Sequence, residues 1–238
     1  MLNAVDPPRR FYEHAAAGPA EGGHGVLLDG RPVRSPGGTL LALPAQALAG
    51  MIAAEWEAQS PKILLARMPA TRLAFTAVDR VAAARAETEA ELVRYAANDL
   101  VCYRADGPGV LVERQAAAWD PILAWADETF GLRLEIAAGI IHQAQPDESL
   151  QAMARLAKAA DAFALAGLVY AAGLLGSAVL ALALWRGRLG ADQAFDLSRL
   201  DEDFQEQQWG VDAEAAHRAA QRRAEAQMVG GWFTALRE

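Results

Sequence analysis

The feature that most constrains this chain is a run of 24 residues without a charge, residues 162–185. As a single helix the run would extend about 36 Å, which is enough to cross the roughly 30 Å of hydrocarbon in a bilayer. About half of its residues are Ala, Gly or Ser, however, and Gly173 and Gly176 are positions where one helix could end and another begin. The composition therefore favours two buried helical segments over one transmembrane helix, and a membrane-anchored protein is the alternative.

The composition of the whole chain is that of an ordinary globular protein. Its 238 residues are 53% hydrophobic and 22% charged, which allows a sizeable core without disulfides or metals. With 30 acidic and 22 basic residues the net charge is −8, which is unfavourable for binding the phosphates of nucleic acid. The single cysteine, Cys102, excludes an intramolecular disulfide and fits a reducing compartment. The first residues also lack the apolar core of a secretory signal, so we expect a cytoplasmic protein.

The N-terminal third of the chain has the pattern of a small sheet with one covering helix. The Asp29-Gly30 pair lies between two short apolar runs, which predicts a β-hairpin across residues 25–34. Residues 39–43 are expected to form a third strand. Pro44 then precedes a helix whose apolar positions include Leu48, Ile52 and Trp56, and Pro61 stops this helix.

From residue 68 onwards the hydrophobic periodicity is that of helices. We expect one long or two consecutive helices over residues 71–98, and a further helix that begins after Pro108 and ends at Gly131. Others follow to the end of the chain. The predicted fold class is therefore α+β: a small, mainly β domain with one covering helix at residues 1–67, followed by a larger all-α domain at residues 68–238.

Motifs of common enzymes are missing from the sequence. It contains no phosphate loop, dinucleotide-binding turn, nucleophile elbow or paired-histidine metal helix. Histidines stand singly at His14, His24, His142 and His217, and Cys102 has no histidine near it in sequence. We therefore predict no catalytic residue, no metal ligand, no cofactor and no small-molecule substrate.

The densest charged motif covers residues 200–210, Leu-Asp-Glu-Asp-Phe-Gln-Glu-Gln-Gln-Trp-Gly. On a helix, Leu200 and Phe204 fall on an apolar stripe, while the acids spread over the other faces. This pattern fits a solvated charged face, and it also fits a protein-binding surface, because Trp209 stands beside acids and amides. Carboxylates in such a cluster could alternatively bind a metal or act as an acid–base pair.

Two further segments leave a similar choice open. Trp56 could cover the sheet as a core residue or stand in an interface, and its apolar spacing favours the core. The charges at Arg72, Asp79 and Arg80 fit internal ion pairing or helix capping as well as ligand binding.

Taken together, eight short motifs resemble those of the assembly chaperones for the catalytic sector of F-type ATP synthase that are specific for the alpha subunit, the "ATP-twelve" family. The resemblance extends from residue 10 to residue 210 and rests on the order and spacing of the motifs. They are, in chain order, Arg10-Phe11-Tyr12, Leu28-Asp29-Gly30-Arg31-Pro32-Val33, Glu55-Trp56-x-x-Gln59, Met68-Pro69-x-Thr71, Thr76-Ala77-x-Asp79-Arg80, Asp99-Leu100-Val101-Cys102-Tyr103-Arg104, Gln115-x-x-x-Trp119-Asp120-Pro121 and Phe204-Gln205-x-x-x-Trp209-Gly210.

The resemblance implies a chaperone and not an enzyme. Members of such a family bind unassembled alpha subunit and prevent its aggregation until the beta subunit takes its place. It also implies a bacterial cytoplasmic homologue, since mitochondrial members carry a transit peptide that is not seen here, and it makes membrane insertion less expected. The client-binding residues implied are Asp201, Glu202, Gln205, Glu206, Trp209 and Trp56.

Two competing hypotheses remain at this point. One is a metal-dependent hydrolase that uses the carboxylates of residues 201–206 with His142 or His217. The other is a membrane-anchored assembly factor inserted through residues 162–185. If the chaperone reading holds, replacing Asp201 or Glu202 with Lys should weaken client binding and leave folding intact.

Overall fold

The computed structural model describes residues 6–139 and 143–238, and these residues form two compact units. Unit 1 contains the described residues up to Ala83 together with Gly231–Glu238, and unit 2 contains Ala84–Gly230. The compact units are groups of mutually packed residues, whereas a domain also folds alone. The division into domains at residues 67 and 68 therefore stays a prediction.

Unit 1 is built on a three-stranded antiparallel sheet, β1 (Ala15–Ala20), β2 (Gly23–Leu28) and β3 (Arg31–Pro32), in that spatial order. The hairpin predicted at Asp29-Gly30 is confirmed, because Leu28 pairs with Arg31 across a two-residue turn. Both turn residues have positive φ, 47° for Asp29 and 80° for Gly30, as a type I′ turn requires. The side chain of Asp29 accepts hydrogen bonds from the backbone N–H groups of Glu13 and His14, which fixes the chain just before β1.

Two details of this sheet differ from the sequence prediction. Residues 39–43 form no continuous strand; Leu40 and Leu43 make single bridges to Arg34 and His24. The long partner of β2 is instead β1, whose Ala- and Gly-rich sequence carries little strand propensity. Tertiary pairing with β2 and packing against the following helix therefore decide its conformation.

The covering helix is confirmed as α1 (Gln46–Glu57), which buries Leu48, Ile52 and Trp56. A 3₁₀ turn (Leu65–Arg67), α2 (Pro69–Phe75) and a π-helical segment (Thr76–Val81) complete the N-terminal part of unit 1.

Unit 2 is almost entirely helical. Its strands β4 (Tyr103–Arg104) and β5 (Ala137–Ala138) form one short parallel pair. The helices that begin in it are α3 (Arg85–Ala97), α4 (Gly109–Phe130), α5 (Asp147–Ala159), α6 (Ala162–Leu175), α7 (Ala178–Trp185), α8 (Ala191–Ser198), α9 (Leu200–Trp209) and α10 (Ala213–Arg237). A 3₁₀ turn (Leu100–Cys102) precedes β4. The predicted end of α4 is confirmed, since Gly131 adopts the left-handed conformation (φ 70°) that terminates helices.

The uncharged run forms two buried helices, α6 and α7, as its composition predicts. Gly176 has a φ of 68° and ends α6, and Ser177 begins α7 by accepting a hydrogen bond from the backbone N–H of Leu180. Both helices are short, and none of the helices within the described part of the chain is long and apolar enough to span a membrane.

The carboxylate of Asp99 is a buried support of this helix junction. It accepts hydrogen bonds from the backbone N–H groups of Val101 and Val179, so it caps the first turn of α7 together with Ser177. Burial raises the pKa of Asp99 to about 6.

The order of elements, a small N-terminal sheet followed by helices, confirms the predicted α+β class.

Candidate functional site

Helix α9 turns one face inward and leaves the other exposed. Leu200 and Phe204 are its buried residues, as the apolar stripe predicts. The outward face carries the side chains of Glu202, Gln205, Gln208 and Trp209, all exposed. Of the six residues singled out from the sequence, five lie on this helix and Trp56 lies on α1 of unit 1.

Asp201 is held against the interior of unit 2. Its Oδ1 accepts a hydrogen bond of 2.7 Å from Nε2 of Gln115 on α4, a side chain that is fully buried. The Oε1 of the same amide accepts from the backbone N–H of Ala105 at 2.9 Å. Gln115 therefore joins the segment after β4 to the first turn of α9, and Asp201 is committed to positioning the helix.

Asp203 and Glu206 are committed to a second internal contact. Arg199, which is largely buried, donates from Nε to Asp203 at 3.2 Å and from Nη2 to Glu206 at 2.7 Å. One guanidinium thus neutralises two of the four acids of the helix, which lie four and seven positions after Arg199.

Glu202 and Gln205 differ from the other polar residues singled out on α9. Neither side chain makes a hydrogen bond or ion pair with any residue that the structure describes. Both point to solvent one turn apart, and the negative charge of Glu202 in the first turn is compatible with the helix dipole. Together with the exposed Gln208, they are available to a partner.

Trp209 ends the helix as the most exposed large apolar residue of the described chain. Its relative exposure is 81%, and Val211, two residues later, is 61% exposed. Gly210 separates them with a φ of 89°, a conformation that L side chains rarely adopt, so the chain leaves the helix at this point.

Side chains in the N-terminal half of α4 are hydrogen-bonded to α8 and α9. Three hydrogen bonds join α4 to the α8–α9 segment. They are Trp119 Nε1 to Leu197 O (3.0 Å), Gln115 Nε2 to Asp201 Oδ1 (2.7 Å) and Arg114 Nη1 to Gln207 Oε1 (3.0 Å). The residue numbers of the donors on α4 decrease while those of the acceptors from α8 to α9 increase, so α4 runs antiparallel to the α8–α9 segment. Val110, one turn before Arg114 on α4, is 63% exposed.

We call the set of Glu202, Gln205, Gln208, Trp209, Val211 and Val110 the α9 surface. Val110 and Val211 were missed by sequence reasoning. Isolated exposed valines carry no signal in a sequence.

The buried side chain of Arg104 stabilises the packing of α4. Arg104 donates to Asp120 at 2.6 Å and to the carbonyl of Gln115 at 3.2 Å, and its guanidinium lies 4.9 Å from the ring centre of Trp119. Burial lowers the pKa of Arg104, and the charge of Asp120 opposes this effect. The motif that includes Gln115, Trp119 and Asp120 thus fixes α4 against β4 and α8.

In unit 1, Trp56 is a core residue, with only 7% of its surface exposed. Its ring packs edge-on against Tyr12 at 5.9 Å, and the Tyr12 hydroxyl donates to the Trp56 carbonyl at 2.6 Å. The indole N–H is buried and has no hydrogen-bond partner among the described residues.

Other motif residues of unit 1 also maintain the fold. The carboxylate of Glu55 accepts from the backbone N–H groups of Ala70 and Thr71 and so caps α2. Asp79 accepts from the Ser35 hydroxyl and the Gly37 N–H, and these bonds lower its pKa. The charge at Asp79 is therefore structural.

The structure brings together no recognisable catalytic group among the residues it describes. Cys102 is buried, and burial raises the pKa of its thiol, which disfavours the reactive thiolate. Across residues 6–139 and 143–238, no three His, Cys, Asp or Glu side chains are grouped so that they could hold a metal ion. Of the histidines in the hydrolase hypothesis, His142 lies outside the described residues, and His217 contacts Gln221 on the exposed face of α10.

Comparison with known proteins connects this fold to one family. Residues 9–127 match the family described as ATP12 chaperone protein. The chain is 26% identical to the mitochondrial protein atp12 of Schizosaccharomyces pombe over 214 residues, which cover 85% of this chain and 74% of that protein.

Two solved structures are similar to this one over almost the whole chain. The crystal structure of Atp12 from Paracoccus denitrificans is 41% identical, with a TM-score of 0.88 over 97% of this chain and 99% of that one. An aspartate-to-lysine variant of Atp12p from the same organism is 40% identical, with a TM-score of 0.89 over 97% and 98% of the two chains.

Proposed function

Because this chain belongs to the ATP12 chaperone family, which serves ATP synthase assembly, we propose that it binds the unassembled alpha subunit and keeps it from aggregating. In this proposal the chain is a binding protein and not an enzyme, and it acts in the cytoplasm, which suits an acidic chain with one buried cysteine. The beta subunit then takes its place in the assembled sector.

One observation carries the site assignment: Trp209 is 81% exposed on the same face of α9 as Glu202, a carboxylate that no described residue neutralises. Exposed tryptophans are costly to leave in water and are enriched among the residues that dominate binding energy. Val110 and Val211 widen the apolar contact, while Glu202, Gln205 and Gln208 form a polar rim.

The internal contacts of α9 support this reading. Asp201 is fixed by Gln115, and Asp203 and Glu206 are fixed by Arg199, so the helix is held in place before a client arrives. A preorganised surface loses less conformational entropy on binding than a mobile one. We therefore assign direct client contact to Glu202, Gln205 and Trp209, and a positioning role to Asp201 and Glu206.

Co-expression with the cognate alpha subunit tests the proposal. Alpha subunit produced with this chain should remain in the soluble fraction and co-purify with it, whereas alpha subunit produced alone should aggregate. Addition of purified beta subunit should then release this chain from alpha. Insoluble alpha subunit in both cultures, with nothing co-purifying, would contradict the proposed function.

A further inference from the structure

The large apolar side chains that are exposed in the described part of the chain fall into groups. Three of the six belong to the α9 surface, namely Val110, Trp209 and Val211. Two others, Phe11 (73% exposed) and Leu65 (40%), belong to unit 1, and Ile136 belongs to neither group. Grouped exposure of this kind marks interaction sites more often than scattered exposure does.

Phe11 and Leu65 line one cavity of about 520 Å³ in unit 1. Its walls include Pro7, Pro8, Pro36 and Phe75, and all of its lining residues are apolar except Arg34 and Ser35. Cavities of roughly 300–1,000 Å³ with mainly apolar walls are typical of binding sites. The volume is sufficient for several side chains of a bound segment.

A second cavity, of about 380 Å³, adjoins the first through three shared residues, Phe11, Arg34 and Trp56. Its other walls include Leu28, Val33, Asp29 and Arg31. We call the two cavities together the N-terminal groove. Because two adjoining cavities extend further than either one alone, the groove suits an elongated occupant better than a compact one.

The charges along this groove favour an anionic group on the occupant. Arg34 lines both cavities and Arg31 lines the second. The one carboxylate there, Asp29, is already engaged by the backbone N–H groups of Glu13 and His14, which lower its pKa. Two guanidinium groups beside one engaged carboxylate give the groove a positive character in a chain whose net charge is −8.

Trp56 adds a requirement for a hydrogen-bond acceptor. It lines both cavities, and its buried indole N–H has no partner among the residues described. An unpaired buried donor is unfavourable, and a carbonyl of the occupant would restore its hydrogen bond. An extended peptide supplies such carbonyls along its backbone.

We propose that the N-terminal groove binds an extended apolar segment of the unassembled alpha subunit that carries an acidic side chain opposite Arg34. This inference rests on the proposed function and adds a second contact, in unit 1, to that of the α9 surface. Segments that are covered in an assembled complex are apolar and exposed before assembly, which is the chemistry that the groove accepts.

Site-specific cross-linking tests the occupant. A photo-reactive amino acid placed at position 65 of the full chain, in complex with alpha subunit, should give adducts that map to one apolar alpha segment with an acidic residue. The same amino acid at position 136 is the control and should give few adducts. Adducts between two copies of this chain, or none at position 65 although alpha co-purifies, would overturn the proposal.

Substitutions test the energetics of the groove. Phe11→Ser and Leu65→Ser should each weaken alpha binding about 5- to 30-fold, whereas Ile136→Ser should leave it unchanged. Arg34→Glu should weaken binding similarly, and Arg80→Glu, an exposed arginine of unit 1 outside the groove, should not. Thermal unfolding of each variant verifies that unit 1 stays folded.

The outcomes separate this inference from the proposed function. If the wild-type chain does not retain alpha subunit, the proposed function fails. If the wild-type chain retains alpha and the groove variants bind it as well as wild type does, only the groove assignment fails.

Discussion

The amide of Gln115 lies 2.7 Å from the carboxylate of Asp201, and this hydrogen bond joins the buried face of α4 to the first turn of α9. Gln115 is fully buried, so its loss would leave the Asp201 carboxylate and the Ala105 N–H without their partner. The bond therefore couples the stability of unit 2 to the placement of the α9 surface.

Gln115→Leu should lower the free energy of unfolding by about 1–3 kcal/mol, because two polar groups lose their hydrogen bonds. It should also weaken alpha binding, since α9 is no longer fixed at Asp201. Chemical denaturation and alpha co-purification measure the two effects. Gln151→Leu, an exposed glutamine on α5, is the matched control. An unchanged unfolding free energy in Gln115→Leu would show that the bond does not anchor the helix.

Asp201 and Glu202 are neighbouring acids in the sequence, but only the side chain of Asp201 has a hydrogen-bond partner among the residues that the structure describes. Glu202→Lys should weaken alpha binding by at least about 10-fold and change stability by less than about 0.5 kcal/mol, because this side chain is exposed and unpaired. Binding is measured by titration and stability by denaturation. Glu225→Lys, an exposed acid on α10, makes the same change in net charge and should leave binding intact.

Asp201→Lys should reduce binding together with stability, in contrast to Glu202→Lys. The lysine would place a cation without an acceptor beside the buried amide of Gln115, so the melting temperature should fall. Differential scanning calorimetry of the two variants makes the comparison. If Asp201→Lys melts at the wild-type temperature, Asp201 is not a positioning residue.

Trp209→Ala is a clean test of binding because the tryptophan is 81% exposed. Its removal should change the unfolding free energy by less than about 0.5 kcal/mol and weaken alpha binding by at least about 30-fold, the effect of a 2 kcal/mol contact. Trp119→Ala is the opposite case: that ring is buried, and its loss should cost about 3–5 kcal/mol of stability. Equal destabilisation by both substitutions would contradict the exposed placement of Trp209.

Asp99 predicts a pH dependence of stability. Its pKa is raised from 3.8 to about 6 by burial, so folding favours the protonated form. A raised pKa contributes stability that is fully present below pH 3.8 and lost as the pH rises through about 6. Between pH 5 and pH 7 the unfolding free energy should therefore fall, by an amount on the order of 1–3 kcal/mol.

Asp99→Asn isolates this contribution from those of the histidines. The variant should lose the pH-dependent part that belongs to Asp99, so the difference between wild type and variant should change from pH 5 to pH 7. Asn should also be less stable at both pH values, because its NH₂ group would face the N–H of either Val101 or Val179. A difference that stays constant with pH would exclude a titrating Asp99.

Local signals in the sequence were sufficient for much of the fold. Asp29-Gly30 predicts its hairpin because few residues adopt positive φ, and Gly131 predicts a helix end for the same reason. The uncharged run could be divided at Gly176, where a φ of 68° ends α6. These features depend on the chemistry of one or two neighbouring residues.

Long-range contacts could not be predicted in this way. Nothing in the sequence assigns Gln115 to Asp201, which is 86 residues away, or Arg199 to both Asp203 and Glu206. The acids of α9 therefore looked equivalent until their partners were known. The exposure of Trp209 was equally hidden, because a tryptophan next to an apolar stripe is as compatible with a core as with a surface.

Amide hydrogen exchange of the full chain, alone and in complex with alpha subunit, is the most direct test of the α9 surface. We predict slower exchange in the complex across residues 200–211 and in the first turn of α4, with little change in the exposed turns of α10. A stable complex in which the amides of residues 200–211 exchange as fast as in the free chain would contradict the assignment of this surface to the client.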